Sequence, residues 1–256
     1  MKNIHFITFG SGGHNYEKSK QRILNEAKDF GIFKTIKGFG YKDLSTEFKN
    51  KYRHLLQYRK GAGYWCWKVD IILQTLKLIN DDDYIVYADC GCSINKEGKT
   101  RFTEYLDLLE NSEYGVIDFE MMEPFNMLIK QCTSQIFNYF NLDTNKIKRG
   151  GCVPGVLIIK KGRHIEKILK EFLNLLDYDY KLITDEYNKK EQHKEFWDNR
   201  HDQSIFTCLF IKYGSVNIKR NETYSFGELM GDTADGNGTF GSKESLKYPF
   251  WATRIR

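Results

Sequence analysis

Along this chain, short apolar runs rich in β-branched and aromatic residues alternate with longer stretches whose apolar residues recur at helical spacing. The run NIHFITF (3–9) predicts a first strand, ended by Gly-Ser-Gly-Gly at 10–13. Residues 16–30 are charged and polar apart from a face carrying Ile23, Leu24 and Ala27, which predicts a helix capped by Asn15 and stopped by Gly31. A short strand is expected at 33–36, then a helix opened by Asp43 or Ser45 and running to about Tyr58. VDIILQTLKLI (69–79) has the helical period, and Asp81-Asp82-Asp83 reads as a solvated turn into the apolar strand YIVYA (84–88). Beyond it, helices are predicted at 102–109, 125–140, 163–176 and 202–213, and extended segments at 114–119, 152–159 and 216–218. Such alternation predicts an α/β fold, a mostly parallel central sheet with helices on both faces. Ligands of such sheets bind beyond the carboxyl ends of the strands, so the residues just after each strand are the ones to inspect for chemistry.

With 256 residues, only 3 Pro and no linker-like stretch, the chain reads as one continuous domain. Residues 1–226 form its body, and 227–256 differ in texture: GDTADGNGTFG (231–241) precedes the aromatic, basic KYPFWATRIR (247–256). That tail is expected to be part of the same domain, a lid over a charged ligand. The net charge of +5 is scattered rather than blocked, which permits an anionic small ligand and argues against a nucleic-acid partner. MKNIHFITFG is too short and too soon ended by glycine for a signal peptide, and no run of about 18 apolar residues occurs. A soluble, intracellular, cytoplasmic protein without a membrane span is therefore expected. The 6 Cys lie mainly within apolar segments, as buried and reduced small hydrophobes would.

Candidate chemistry begins where the strand 84–88 runs into Asp89-Cys90-Gly91-Cys92. A structural thiolate site usually needs two close Cys or His pairs, and no second pair exists, so attention falls on Asp89. FGSGGHN (9–15) sits where phosphate-cradling loops sit, after a strand and before a helix, but matches neither the dinucleotide nor the P-loop pattern. Its amides, Thr8 and Ser11 can face a nucleotide, or it is a plain tight turn. GAGYWCWK (61–68) concentrates aromatics before Lys68 at a helix start, where a cation and free amides can hold a phosphate. Alternatively the tryptophans are core anchors and the lysine is solvated. Asp202 suits an N-cap, yet His201, Asp202 and Gln203 also gather a base, a charge and an amide at one helix start.

Taken in order, these stretches resemble the nucleotide-sugar glycosyltransferases of the GT-A fold, and within them the retaining, galactosyltransferase-like group. FITFGSGGHNY (6–16) resembles the first strand and loop around the nucleoside, which implies donor contacts from Thr8, Phe9, Gly10 and Tyr16. KGAGYWCWK (60–68) resembles the basic-aromatic segment whose cation meets the donor, implying Trp67 and Lys68. YIVYADCGC (84–92) is similar to the aspartate motif, an apolar strand ending in D-x-D. It implies donor contacts from Tyr87, Ala88 and Asp89, with Asp89 the ligand of Mn²⁺ or Mg²⁺. GGCVPGVLIIKK (150–161) and HDQSIF (201–206) are similar to the strand and the Asp-Gln segment around the donor sugar. They imply Gly151 and His201 as donor contacts and Asp202 and Gln203 as the catalytic pair.

What the resemblance implies is a metal-assisted transfer of a hexose, from a UDP-hexose most of all, to a glycan or other hydroxyl acceptor. With retention, Gln203 lies near the anomeric carbon and Asp202 holds sugar hydroxyls; with inversion, Asp202 deprotonates the acceptor. Two departures stand out. Gly91 occupies the place of the second carboxylate, where it would let a diphosphate approach closely. The family's late His-x-x-Gly-x-x-Lys-Pro-Trp segment is only echoed by KYPFW (247–251), with Asp232 or Asp235 as candidate substitutes. Two rivals are a nucleotidyltransferase on a similar sheet, which would normally show a glycine-rich basic loop, and a non-catalytic sugar- or nucleotide-binding module stacking its ligand on the Tyr/Trp loop.

Overall fold

The computed structural model describes residues 2–121, 126–143, 145–224 and 243–255. Its strands are β1 (Ile4–Phe9), β2 (Thr35–Phe39), β3 (Tyr84–Ala88), β4 (Ser93–Ile94), β5 (Ile117–Phe119), β6 (Val156–Lys160), β7 (Val216–Ile218) and β8 (Phe250–Trp251). The central sheet has the order β2-β1-β3-β6. β1 runs parallel to β2 and β3, and β6 is antiparallel to β3. The parallel pair β5–β7 adjoins β6 through the bridge Val116↔Ile159, and Glu120 bridges Cys152 in the segment ahead of β6.

Period-two alternation along these strands builds two cores, one on each face of the sheet. Phe6, Val86, Ala88, Val156 and Ile158 meet Ile23, Ala27 and Phe30 of helix His14–Phe30 and Phe102 and Tyr105 of helix Lys99–Glu110. Ile7, Phe9, Ile85, Tyr87, Leu157 and Ile159 meet helices Trp67–Leu76, Arg163–Asp179 and Asp202–Tyr213. Every residue of β3 is buried. That is why it reads as an unbroken apolar run, and why the first charged residue after it lies at the sheet's edge. The expected architecture, an α/β sheet mostly parallel with helices on both faces, is the one found.

Local details differ where a long-range contact overrides the local pattern. Helix His14–Phe30 begins before Asn15, behind Gly13 and without a side-chain cap, although Gly31 ends it in the left-handed region as expected. The single helix expected at 43–58 is broken. Ser45 caps Thr46–Lys51 by accepting the Phe48 amide at 3.1 Å, and Tyr52 leaves helical geometry with φ −104° and ψ 28°. The Tyr52 phenol is drawn to Asp177, 2.7 Å away. The helix expected at 125–140 is likewise two, Leu128–Gln131 and Ser134–Phe140, around an extended Cys132. Asp83 is no solvated turn residue: it is buried, accepts the amides of Asn3 (2.7 Å) and Asn80 (3.2 Å), and faces His5 at 3.4 Å. It ties the start of β3 to β1.

Residues 225–242, with Asp232 and Asp235, lie outside the described residues. The described tail packs on the rest of the chain: β8 pairs with β4, and Phe250 is buried against Phe30 and Phe102. No described helix is long and apolar enough to cross a membrane.

Candidate active site

β1 and β3 are parallel neighbours with Ile7 opposite Tyr87, so Thr8 to Gly10 and Asp89 emerge side by side at the sheet's carboxyl edge. The Asp89 amide donates to Gly155 O at 2.8 Å, which carries the β3–β6 pairing one residue further, and the Cys92 amide closes a turn onto Asp89 O at 2.8 Å. The side chain of Asp89 is 38% exposed. Its Oδ1 accepts the Tyr87 phenol. Burial first, and the Asp89 carboxylate second, hold that phenol well above its usual range, so it remains a donor.

Lys68 reaches this edge from the second position of helix Trp67–Leu76. The chain enters that helix through five consecutive residues with positive φ: Gly61 (57°), Ala62 (50°), Gly63 (100°), Tyr64 (53°) and Trp65 (60°). Left-handed geometry costs a non-glycine residue roughly 1–2 kcal/mol, and here three of the five carry side chains. Tertiary contacts offset the cost. The Trp67 indole donates to Gly61 O at 2.8 Å, and Tyr64 donates to Asp185 at 3.1 Å. Trp67 also stacks on Phe9 with ring centroids 3.7 Å apart. Both rings are buried, so Trp67 is a core anchor, whereas Trp65 is half-buried and Lys68 is not solvated.

Lys68 is 1% exposed. Its ammonium donates to Pro154 O at 2.9 Å and to Asp202 Oδ2 at 2.5 Å, and lies 3.8 Å from Asp89 Oδ1 and over the Tyr87 ring. Burial alone would favour the neutral amine, but Asp202 and then Asp89 outweigh it and hold Lys68 above the ordinary lysine range. Asp202 is buried as well, and burial pushes its carboxyl up while Lys68 draws it down. It does not act as a cap: it opens helix Asp202–Tyr213 with its side chain turned to Lys68. His201 before it adopts φ 56° and ψ −120°. Its Nδ1 lies 2.8 Å from Ile183 O and its ring packs on Tyr64 and Trp65, with burial lowering its pKa.

Gln203 is held by its amide nitrogen, which donates to Gln131 Oε1 at 2.9 Å, while Gln131 Nε2 donates to Asn126 Oδ1 at 3.0 Å. Gly151 lies against this pair; a Cβ there would come within 3.0 Å of Gln203 Nε2. Lys68, Tyr87, Asp89 and Asp202 thus form one cluster, with His201, Gln203 and Gly151 beside it. Thr8 and Ala88 are buried behind it, and Thr8 Oγ1 has no hydrogen-bond partner among the described residues. Gly10 is required by packing, since a Cβ would meet Tyr16 O at 2.8 Å and Lys20 Cβ at 2.9 Å. Tyr16 stands on the first turn of the helix that follows.

Three features went unnoticed in the sequence: Gln131 as the holder of Gln203, Pro154–Gly155 as the wall of the Lys68–Asp89 site, and the tail beside Gly91. Nothing in their local pattern marks them. The last of these overturns one expectation. The side of Gly91 where a Cβ would project does not open to a ligand, because it would meet Arg254 Cα at 3.2 Å and Ile255 O at 3.6 Å. All six cysteines are free and buried, as expected for fillers.

Among solved structures, the chain is similar to the apo form of mouse xyloside xylosyltransferase 1, with a TM-score of 0.52 and 9% identity over 98% of this chain and 97% of that one. It also matches a glycosyltransferase involved in glycosylation of the major capsid of PBCV-1 (TM-score 0.45, 10% identity, 96% and 93% of the two chains). A third match is the galactosyltransferase LgtC in complex with donor and acceptor sugar analogues (TM-score 0.44, 14% identity, 98% and 84%). No protein-family model matches the chain, and no curated protein matches it. The first likeness shows the fold, which is of the GT-A glycosyltransferase type.

Proposed function

We propose that this chain is a glycosyltransferase that moves a hexose from a nucleotide sugar, UDP-linked first of all, to a hydroxyl of a glycan or other acceptor. The observation that carries the reading is the buried Lys68 ammonium held between Asp202 and Asp89 at the carboxyl edge of a GT-A sheet. A donor would lie there, and a fixed cation next to its leaving group is what the chemistry requires. In the transfer, the bond from the anomeric carbon to the diphosphate oxygen breaks and its electron pair leaves with the phosphate. The acceptor oxygen bonds to that carbon and gives up its proton.

Retention is favoured by where the two candidate catalytic residues stand. Asp202 is buried and committed to Lys68, a poor position for a base and a good one for orienting sugar hydroxyls. Gln203 has its nitrogen committed to Gln131, which leaves the amide oxygen for the positive charge that develops at the anomeric carbon. The acceptor then attacks on the face that the diphosphate leaves, and the departing phosphate oxygen takes its proton. Thr8, Phe9, Gly10, Tyr16, Trp67, Tyr87, Ala88, Gly151 and His201 form the walls and backing of the donor site in this reading.

Mn²⁺ or Mg²⁺ would meet Asp89, but the described residues do not complete a site for it. They hold no group of three His, Cys, Asp or Glu that could cage a metal, and a side chain at 91 would press on Arg254 Cα at 3.2 Å.

The test is thermal shift with UDP, GDP, CMP and their sugars, with and without Mn²⁺, followed by turnover of the responding sugar nucleotide. Saturating ligand at 100 times its Kd should stabilise the fold by about 2.7 kcal/mol. Asp89→Asn should abolish turnover while the protein still folds. No response to any nucleotide would sink the reading. Release of pyrophosphate would make the chain a nucleotidyltransferase, and binding without turnover would make it a binding module.

A further inference from the structure

Beside the β5–β7 pair the chain leaves a cavity of about 670 Å³, a volume within the range of small-ligand sites, and no residue of the Lys68 cluster lines it. Part of its wall is fixed by a buried carboxylate. The Arg149 guanidinium donates to Asp118 Oδ2 at 2.7 Å and to Gly150 O at 3.1 Å, and lies 3.3 Å from Glu120 Oε2. Asn217 Nδ2 donates to the same Asp118 oxygen at 3.0 Å, which ties β7 to β5 at the cavity. The Tyr114 ring lies directly on the Gly214 backbone, where a Cβ would fall 2.2 Å from its Cε1. An aromatic face among a few fixed polar groups is a lining that suits a sugar.

Met121 joins this cavity to the candidate catalytic amide. It lines the cavity, and its Cε and Gln203 Nε2 would stand 3.1 and 3.0 Å from a Cβ on Gly151, so the two side chains are neighbours. A ligand that fills the cavity and passes Met121 arrives at Gln203.

Charge gives the cavity a preference. Lys148 and Lys219 line it, both exposed, and no ion pair or hydrogen bond of either side chain is found among the described residues. With Arg149 they bring three positive charges against the two negative ones of Glu120 and Asp118, which leaves plus one. Lys68, Asp89 and Asp202 sum to minus one. An anionic group is drawn to the first set and repelled by the second. A neutral sugar feels neither.

We propose that this cavity holds the acceptor, and that the acceptor is an acidic sugar whose carboxylate or phosphate meets Lys148 and Lys219. The inference rests on the glycosyl-transfer reading above and adds the class of acceptor to it. The opposite charge of cavity and cluster orients such a molecule: its acidic end stays with the lysines, and a neutral hydroxyl is left to face Gln203 and the donor.

The experiment is titration of the full chain, followed by saturation-transfer NMR, with glucuronic acid, glucose 6-phosphate and glucose. Wild type should bind at least one of the acidic sugars at least tenfold more tightly than glucose, and added salt should weaken that binding. Which of the two responds separates a carboxylate from a phosphate as the group recognised. Lys148→Ala combined with Lys219→Ala should bring the acidic sugar down to the level of glucose, with the melting temperature and the binding of nucleotide unchanged. Four results would overturn the inference while leaving the function standing. These are equal binding of acidic and neutral sugars, no binding of any of the three, a double variant that binds like wild type, and competition between the acidic sugar and the nucleotide. An acidic sugar bound by a chain that responds to no nucleotide would remove the function, and the acceptor role with it.

Discussion

Replacing Lys68 by Met tests the centre of the site through stability alone. The ammonium is 1% exposed and sits 2.5 Å from Asp202 and 2.9 Å from Pro154 O. Methionine fills similar space but leaves Asp202, itself buried, without its counterion. Breaking a buried pair from one side costs about 3–5 kcal/mol, because the remaining charge is uncompensated. For a chain of this size, each kcal/mol moves the melting temperature by about 2–4 °C, so a fall of roughly 6–20 °C is expected. Denaturant unfolding of the single variant and of Lys68→Met with Asp202→Leu completes the cycle. The double variant removes both charges and should be more stable than Lys68→Met alone. The loss should also shrink as the pH falls. An unpaired Asp202 titrates above the ordinary carboxylate value of about 3.9, so the fold is favoured by its protonated form below that value and loses this as pH rises through the raised one. A cost under about 1 kcal/mol, or a double variant worse than the single, would refute the buried-pair reasoning.

Gly61→Ala should destabilise by more than about 2 kcal/mol, since its Cβ would come within 2.5 Å of the Trp65 ring at a φ of +57°. Ala62→Gly, at φ 50°, should be neutral or stabilising by up to about 1 kcal/mol in the same unfolding assay. A loss in the second variant would show that the left-handed turn is not strained. Burial pushes the Cys90 thiol up to about 11, so the native protein should label slowly with a thiol reagent at pH 8; fast labelling there would contradict the burial. The sign is that the fold favours the neutral thiol: this contribution is complete below the unfolded value of about 8.5 and is lost as pH rises toward 11. Burial lowers the pKa of His201, so stability from its neutral form holds above the unfolded value of about 6.5 and is lost as pH falls through the folded one. His201→Gln should flatten the pH dependence of unfolding between pH 7 and 5; an unchanged slope would show that His201 is not its source.

The Lys68–Asp202 pair also changes what each residue can do. At a helix start, Asp202 by its sequence is a cap or a base. Facing Lys68 at 2.5 Å, its carboxylate is committed to that pair instead. Gln203 is similar: the sequence offers an amide, and Gln131 decides which end of that amide is left for a ligand.

By itself the sequence determined what local periodicity encodes. A strand buried on both faces must be apolar throughout, so β3 could be read as YIVYA and Asp89 as the first residue past its end. Helices with one apolar face, such as His14–Phe30 and Arg163–Asp179, were legible for the same reason. Tertiary structure alone decided which segments meet. Lys68 and Asp202 are 134 residues apart, and Thr253 lies 162 residues from the Gly91 carbonyl it binds. The break at Tyr52 depends on Asp177, and the burial of Asp83 on Asn3 and His5. Local pattern specifies which side of an element avoids water, but the effect of a charge or of an absent side chain depends on what lies opposite. For Gly91 that neighbour is Arg254, and the open approach its residue type suggested is filled by protein.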